Sequence, residues 1–346
     1  MTTGDWAADA DGTPRGLLRA CLEAAVAAPS VHNTQPWRFR ISGGTVDILA
    51  DRGRRLAVLD PQGRELLISI GAAVFNLRAA MLAHGRTPVL HLLPAVDEPD
   101  LAARITVGPP TRAPATAMML AEAIPRRHTN RQPFHEVHVP AEALVDLSAA
   151  AEAERARLVV TDPRARDAVL DVVRIAEQRR RHDPAYWREL HEWTLPAAER
   201  HDGVPPEAFG SWDALETVPI RDFSTVRPAH RRGPAPFEQA PAIAVLYTRG
   251  DTPYEWLRGG QALERVLLTA TVRGLVSTIM TQPVEVPHLR ALLEDPADGN
   301  VAQAVLRFGY GPVSAASKRR PLEEVIVPAD RPARASARQE RKGPDG

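Results

Sequence analysis

The sequence predicts an α+β protein built from two lobes with a similar order of elements. Apolar residues at helical spacing alternate along the chain with short segments in which apolar and polar residues alternate. A polar segment bracketed by prolines, 125–134, divides the chain, and the order of elements partly repeats after it. With 346 residues, 44% of them hydrophobic, the chain can form one large domain or two of ordinary size. We expect lobes at 1–124 and 125–327.

In the first lobe, Thr13-Pro14 is a helix start signal, and an apolar face then recurs up to Pro29. A Ser-Gly-Gly-Thr turn at 42–45 separates two alternating segments, which predicts a β-hairpin. A long helix is expected after Asp60-Pro61. The remaining expected elements are strands at 89–93 and 105–107 and a short helix at 118–124.

The second lobe shows the same mixture of elements. Helices are expected at 141–154, 164–195 and 257–273, and strands at 157–161, 242–248 and 304–309, with an apolar segment at 275–280. The region 182–240 is long for a connection, and its aromatic residues argue against disorder, so it is either a lid or packing between the lobes. The tail 328–346 is rich in Arg, Ala, Pro and Gly and is expected to be disordered.

Composition restricts the classes of partner. The 43 basic and 43 acidic residues give a formal net charge of zero, which offers no argument for nucleic acid or an anionic membrane. No wholly apolar run approaches the roughly 18 residues that span a bilayer, and we expect a cytoplasmic protein. The single cysteine, Cys21, excludes a disulfide framework, and the eleven histidines lack ligand spacing, so no metal site is expected.

Common catalytic motifs are absent from the sequence. There is no GxxxxGK[ST] phosphate loop and no Gly-x-Ser-x-Gly nucleophile turn, and Gly309-Tyr310-Gly311 is only a fragment of a dinucleotide fingerprint. The chain therefore presents no nucleophile or metal of its own. If it is an enzyme, a bound organic cofactor is expected to carry the chemistry.

Three segments are candidates for binding such a cofactor. In PSVHNTQPW, at 29–37, two prolines fix the backbone and leave N–H groups without helical partners, and short polar side chains lie between them. This loop suits a planar ring with polar edges, or it is a plain connection from helix to strand. Arg127, Thr129 and Arg131 alternate and can converge on one phosphate, unless they form a solvated linker. Lys318 and Arg320 alternate in the same way, or belong to a basic tail.

Together the segments resemble the nitroreductase superfamily of FMN-dependent oxidoreductases. Four blocks occur in order: PSVHNTQPWRF, RHTNRQPF, GGQALERVLLTATVRGL with STIMTQPVEVP, and FGYG with KRRPLEEVI. The resemblance implies an α+β fold with mixed or antiparallel sheets flanked by helices. The basic block normally opens the chain, whereas here it follows a complete PSxxNxQPW block. This order resembles the Acg-like branch, in which two fused lobes imitate the family homodimer.

The resemblance also implies one FMN site per chain, shared between the lobes. Its phosphate would be held by second-lobe residues, namely Arg127, Thr129, Arg131, Lys318 and Arg320. The ring would lie against the first-lobe loop, namely Pro29, Ser30, Val31 and Asn33. Thr281 and Gln282 align with a family turn that faces the flavin edge. No catalytic side chain is implied, and the fused lobes favour a monomer or a weak homodimer.

The function implied by the resemblance is reduction of a small-molecule acceptor, a nitroaromatic or a quinone, by NAD(P)H through FMN. A flavin-sequestering or storage protein, with the 182–240 region as a lid over FMN and little turnover, is an alternative. A pathway-specific flavin-dependent dehydrogenase or oxidase is another, because one fold carries several chemistries.

Overall fold

Two β-sheets, each packed against a long helix, organise the chain. The computed structural model describes residues 15–194, 200–213, 215, 217–227, 233–294, 299–314 and 316–328. The helix start at Thr13-Pro14, the tail after Pro328 and parts of the 182–240 region therefore lie outside the described residues. The sheets are mixed or antiparallel and flanked by helices, so the predicted α+β class is confirmed.

The first lobe begins with a helix and a β-hairpin. Its elements are α1 (Arg15–Val26), β1 (Trp37–Ser42), β2 (Thr45–Ala50), α2 (Arg64–Ala83), β3 (Arg86–Leu92), β4 (Leu101–Pro110) and α3 (Ala115–Ala123). The predicted hairpin is confirmed: Ser42 pairs with Thr45, and Gly43 in the turn has a φ of 55°, which glycine adopts without strain.

The second lobe carries a four-stranded antiparallel sheet. Its elements are α4 (Ala141–Ala153), β5 (Arg157–Val160), α5 (Pro163–Arg180), α6 (Pro184–Glu192), β6 (Ala242–Thr248), α7 (Pro253–Val272), β7 (Val276–Met280), α8 (Pro287–Arg290) and β8 (Val301–Gly309). The strand order is β5-β6-β8-β7. The prediction of one long helix at 164–195 is wrong, because two helices, α5 and α6, lie in this range. Proline cannot continue a helix, and Pro184 starts α6 after Asp183 accepts hydrogen bonds from the N–H groups of Ala185 and Tyr186.

The C-terminal segment crosses back to the first lobe. Here α9 (Leu322–Val325) leads into β9 (Ile326–Val327), which pairs in parallel with β1 and completes the sheet order β3-β4-β2-β1-β9. Leu322 and Val325 are buried in the first lobe's core. The sequence prediction assigned these residues to the second lobe, whereas their packing belongs to the first. The crossing carries the basic residues before α9 past the boundary between the lobes.

The lobes meet where α2 crosses α7. A Cβ on Gly71 would lie 2.2 Å from the carbonyl oxygen of Leu257, and one on Gly260 would lie 2.0 Å from that of Ile68. Only glycine allows the two backbones to approach so closely. Among the described residues, α2 alone is long and apolar enough to cross a membrane, but 78% of its apolar window is buried inside the protein, as in a core helix.

Candidate functional site

A cavity lies between the lobes, beside the crossing of α2 and α7. Its volume is about 1110 Å³, including the open space at its mouth. Both lobes contribute to its wall, together with residues 200–227, here called the strap, of which 214 and 216 are outside the described residues. Nine of the eleven residues predicted for the site line the cavity: Pro29, Ser30, Val31, Asn33, Arg127, Thr129, Arg131, Thr281 and Gln282.

The first-lobe loop that enters the cavity has an unusual backbone. His32, Asn33 and Gln35 have positive φ values of 46°, 54° and 49°. Such values are uncommon for residues other than glycine, and they persist only where surrounding contacts enforce them. The Ser30 hydroxyl accepts a hydrogen bond from the Gln35 N–H at 2.9 Å, and the Val31 N–H donates to the Ser69 hydroxyl at 3.2 Å. The loop is therefore a defined structure and not a loose connection.

The loop also joins the strap and the C-terminal segment to the first lobe. The Asn33 side-chain amide donates to the carbonyl oxygens of Gly203, at 2.9 Å, and Lys318, at 3.1 Å. The Gln35 side chain donates to the His201 carbonyl at 2.7 Å and accepts from the Arg320 N–H at 2.7 Å. Much of the hydrogen-bonding capacity that the sequence offered to a ligand is thus used to hold three segments together.

The basic segment at 127–131 lies beside the second-lobe sheet. Thr129 bridges in parallel to Ser277, and the Asn130 N–H donates to the Ser277 carbonyl at 2.8 Å. The Asn130 side chain donates to the Pro312 carbonyl at 2.6 Å. Arg127, Thr129 and Arg131 all line the cavity, and so does His128 between them.

The third candidate segment, at 318–320, differs from its prediction by one residue. Lys318 is exposed and Arg320 is turned away from the cavity, where its guanidinium donates to the Glu324 carbonyl at 3.0 Å. Arg319 between them lines the cavity instead, together with Ser317. The guanidinium of Arg319 donates to three backbone carbonyls, those of Ser317, Lys318 and Ala27. Neither Lys318 nor Arg320, the two residues predicted for this segment, lines the cavity.

The cavity carries more positive charge than its carboxylates neutralise. Burial and the neighbouring Arg127 lower the pKa of Arg319 to about 9, and burial and Arg221 lower that of Arg131 to about 10. Neither forms an ion pair with a carboxylate in the part of the chain that the structure describes. Arg127 lies 3.5 Å from Glu264, whose pKa burial raises to about 7 against the effect of Arg127. The Nε atoms of Arg127 and Arg319 are buried without a hydrogen-bond partner.

The strap supplies a cavity arginine that the sequence did not indicate. Arg221 is buried and donates to both carboxylate oxygens of Glu285, at 2.6 and 2.8 Å. Burial is the largest effect and opposes its charge, but Glu285, Tyr186 and Glu177 together outweigh burial and raise the pKa of Arg221. Its other side meets the His32 ring, and the pKa of His32 is held well below 6.5 by burial and by Arg221 and Arg131. His32 is therefore neutral at pH 7.

The predicted turn after β7 is tied to the strap. The Thr281 hydroxyl donates to Glu285 at 2.6 Å, and the buried Gln282 side chain reaches the Pro219 carbonyl at 3.4 Å. Phe223 of the strap also lines the cavity, and its ring lies 4.8 Å below the guanidinium of Arg131. The strap therefore contacts both the turn predicted for the flavin edge and an arginine predicted for the phosphate.

The strap packs on the first lobe as well as beside the cavity. Four buried side chains of the strap, Val204, Ala208, Phe209 and Phe223, form one apolar cluster with Leu56 and Leu59 of the first lobe and with Tyr186 and Leu190 of α6. The Glu189 carboxylate accepts the N–H groups of Val58 and Leu59 at 3.0 and 2.9 Å. These contacts show the packing that was one of the two alternatives left open for this region, and its role as a lid stays a prediction.

One acidic residue of the cavity was also missed. Glu65 lies in the first turn of α2, is buried, and lines the cavity one turn before Ser69. In the sequence it resembles an ordinary acidic residue at a helix start, where the helix dipole favours negative charge. Only the approach of the second lobe encloses it.

Comparison with known proteins places these features in a family. No protein-family model matches the chain. A protein of Mycobacterium tuberculosis named "Putative NAD(P)H nitroreductase acg" is 32% identical over 321 residues, which cover 90% of this chain and 95% of that protein. An uncharacterized protein of the same organism is 32% identical over 323 residues, 90% of this chain and 92% of its own length.

Solved structures show similarity to part of the chain. The FMN-dependent nitroreductase NfnB from Mycobacterium smegmatis, in complex with NADPH, covers 59% of this chain and 97% of its own, with 17% identity and a TM-score of 0.35. A nitroreductase with bound FMN from Desulfitobacterium hafniense covers 60% and 97%, with 13% identity and a TM-score of 0.37. On the identity to the mycobacterial proteins over nearly their whole length, the chain belongs to the nitroreductase superfamily, in the two-lobed branch of acg.

Proposed function

We propose that the protein is an FMN-dependent oxidoreductase that uses NAD(P)H to reduce small electron-poor acceptors, such as nitroaromatics or quinones. The observation that carries this proposal is the cavity between the lobes, which combines incompletely neutralised guanidinium groups with an apolar wall. The relative named "Putative NAD(P)H nitroreductase acg" supports nicotinamide as the reductant and a nitro compound as an acceptor. We propose one FMN per chain.

The basic end of the cavity fits a phosphate. Arg127, Arg131 and Arg319 approach it from two segments, and Thr129 adds a hydroxyl. A phosphate monoester carries about two negative charges near pH 7 and accepts several hydrogen bonds, which matches the buried Nε of Arg319 that has no hydrogen-bond partner. In this proposal Arg319 takes the role that the sequence gave to Lys318 and Arg320.

The other end fits a flat ring. Ile68 and Ala72 of α2 and Phe223 of the strap supply apolar surface beside the loop at Pro29–Val31. Thr281 and Gln282 lie at the edge of the same space, where their backbone would meet the ring. When bound, FMN would supply the redox chemistry by accepting a hydride from NAD(P)H and passing it to the acceptor.

The chain's own contribution is binding, orientation and exclusion of water. The guanidiniums would hold the phosphate, and the rigid loop around Ser30 and Asn33 would fix the ring. Beside the strap His32 is neutral and Arg221 is ion-paired, whereas the guanidinium of Arg131 over Phe223 keeps its charge. The strap, held by buried contacts to Asn33 and Gln35, limits access to the space from that side.

The attachment of the strap favours storage of FMN as the second candidate. The Gly203 N–H also donates to the Asn33 carbonyl at 3.2 Å, so that backbone and side chain of one loop residue hold the strap. A strap that never opens would keep nicotinamide from the ring. Opening of such a segment is a conformational step that can limit the rate of turnover.

An anaerobic absorbance experiment separates the two candidates. The purified protein is saturated with FMN, freed of unbound flavin, and mixed with NADPH and then with dithionite. Rapid bleaching of the flavin band by NADPH supports the oxidoreductase. Bleaching by dithionite alone favours storage, and a protein that takes up no FMN contradicts both. The bound flavin per chain, read from the same spectrum, is expected to be one.

A further inference from the structure

The carboxyl group of Glu65 is distinctive within the cavity. Among the described residues that line it, Glu65 alone carries a carboxyl group. The side chain is 4% exposed and comes from the first lobe, on the side of the cavity formed by Ile68 and Ser69. It accepts a hydrogen bond from the Arg64 guanidinium. It thus faces the same space as the loop and the turn proposed to hold the ring.

The charges around Glu65 come from three segments. Arg64 lies on its own helix, Asp60 precedes that helix, Glu285 follows the turn after β7, and Arg221 belongs to the strap. Arg64 and Arg221 favour the carboxylate, whereas Asp60 and Glu285 oppose it. Burial is the largest effect, and the pKa of Glu65 is raised to about 7. The group therefore exchanges a proton near neutral pH, as a general acid requires.

Arg64 does not form an exclusive pair with Glu65. The same guanidinium donates to the side-chain and backbone oxygens of Gln303, at 2.8 and 3.1 Å, and to the Val284 carbonyl at 3.2 Å. These second-lobe contacts hold Arg64 whether or not Glu65 is ionised. Glu65 can therefore hold a proton without leaving Arg64 unpartnered, and loss of that proton restores the carboxylate beside Arg64.

The other titratable groups of the cavity are poorer proton donors. His32 is neutral, and one of its ring nitrogens meets Arg221. Burial and Arg127 lower the pKa of His128, which is therefore also mainly neutral at pH 7. Arg131 and Arg319, whose pKa values lie at about 10 and about 9, stay protonated at neutral pH, and the pKa of Arg221 is raised.

We propose that Glu65 donates the proton that completes reduction of the acceptor; this inference rests on the proposed function. Reduction of a quinone to a hydroquinone adds one hydride and one proton. The hydride, with its electron pair, comes from the reduced flavin, which NAD(P)H has supplied. The Glu65 O–H bond breaks, the proton joins the quinone oxygen, and the Glu65 carboxylate regains a proton from water. A nitro group reduced to a nitroso group needs the same hydride and proton and releases water.

Two oxidants distinguish proton delivery from other roles. The FMN-loaded protein is reduced with dithionite, and its reoxidation is followed by stopped flow with a benzoquinone and, separately, with ferricyanide. Ferricyanide accepts electrons without a proton. In Glu65→Gln we expect quinone reoxidation to slow by about 100-fold, the usual contribution of a general acid, and ferricyanide reoxidation to keep its rate. Glu65→Asp, which retains an acid, should lose less.

The matched control is Glu177→Gln. Glu177 is a buried carboxyl of α5 whose pKa burial also raises, but it lines a neighbouring cavity. This variant should keep the wild-type ratio of quinone to ferricyanide rates. In the wild type, quinone reoxidation should decline as the pH rises through about 7, because the donor is then ionised. Glu65→Gln should lose this dependence.

A measurement without flavin tests the proton directly. The infrared difference between apo wild type and apo Glu65→Gln should contain a carboxylic-acid band that disappears as the pH rises through about 7. Equal slowing with both oxidants, unchanged quinone rates, or a wild-type quinone rate independent of pH overturns the proposal. If Glu65→Gln does not fold, the pH profile of the wild type and the quinone reoxidation rate of Glu65→Asp test the proposal instead. If the wild-type protein takes up no FMN, both the proposed function and this inference are wrong. If FMN is reduced normally and the quinone rate of Glu65→Gln is unchanged, only the inference is wrong.

Discussion

Two arginines that line the cavity are held in contrasting ways. Arg221 of the strap is buried and donates to both oxygens of Glu285, so its pKa is raised although burial opposes its charge. Arg319, on the segment before α9, donates only to backbone carbonyls, and burial and Arg127 lower its pKa to about 9. The side chains are chemically identical, but one charge is neutralised by the fold and the other is not.

This difference separates an arginine that supports the fold from one that suits a ligand. A paired charge such as Arg221 stabilises the native state only together with its partner, because removal of either leaves the other buried alone. A charge without a carboxylate, such as Arg319, costs stability until an anion arrives, and binding recovers that cost. We therefore expect substitutions of the two residues to affect different measurements.

The largest expected effect is on folding, from Arg221→Gln. The substitution leaves Glu285 buried without its cation, and breaking a buried pair in this way costs about 3–5 kcal/mol. The free energy of unfolding of the apo protein, measured by urea denaturation, should fall by that amount. The double variant Arg221→Gln/Glu285→Gln should recover part of the loss, since no charge is stranded. Equal losses in the single and double variants would show that the pair is not coupled.

The next effect is on ligand affinity, from Arg319→Gln. Hydrogen bonds to charged groups contribute about 1.5–3 kcal/mol, so the Kd for FMN should rise by about 100-fold. The apo protein should keep its stability, because removal of an uncompensated buried charge offsets the loss of hydrogen bonds from Arg319 to backbone carbonyls. FMN fluorescence quenching gives the Kd. Riboflavin, which lacks the phosphate, is the control ligand: its weaker binding should be unaffected by Arg319→Gln. A similar loss for both ligands would place Arg319 away from the phosphate.

The sequence anticipated one basic segment better than the other for a physical reason. Thr129 forms a strand-like bridge to Ser277, and Arg127, Thr129 and Arg131 line the cavity as predicted, although His128 between them lines it too. The segment at 318–320 forms no ladder. Gln35 of the other lobe accepts the N–H of Arg320 and fixes its backbone, which directs Arg319 into the cavity. A contact between residues 285 positions apart has no local signal.

Glu65 and Arg221 were missed for a related reason. Each resembles a surface charge in its own segment, Glu65 at a helix start and Arg221 in a proline-rich connection. Their burial depends on how α2, the strap and the turn after β7 meet. The fold class and the hairpin follow from local patterns, and the break before α6 follows from Pro184, which the predicted long helix ignored. Charged residues that become part of the site only when the two lobes pack together do not follow from such patterns.

The smallest expected effect is from Arg320→Gln, the neighbour of Arg319. Its guanidinium donates to the Glu324 carbonyl at 3.0 Å, and its chain lies beside Gln35, so we expect a loss of about 1 kcal/mol in unfolding free energy. The Kd for FMN should stay close to that of the wild type in the same fluorescence titration. The two substitutions replace neighbouring arginines by the same residue. A difference in Kd between them therefore reports which of the two side chains faces the bound FMN. If Arg320→Gln weakened FMN binding and Arg319→Gln did not, the alternation predicted from the sequence would describe the bound state better than the arrangement without ligand.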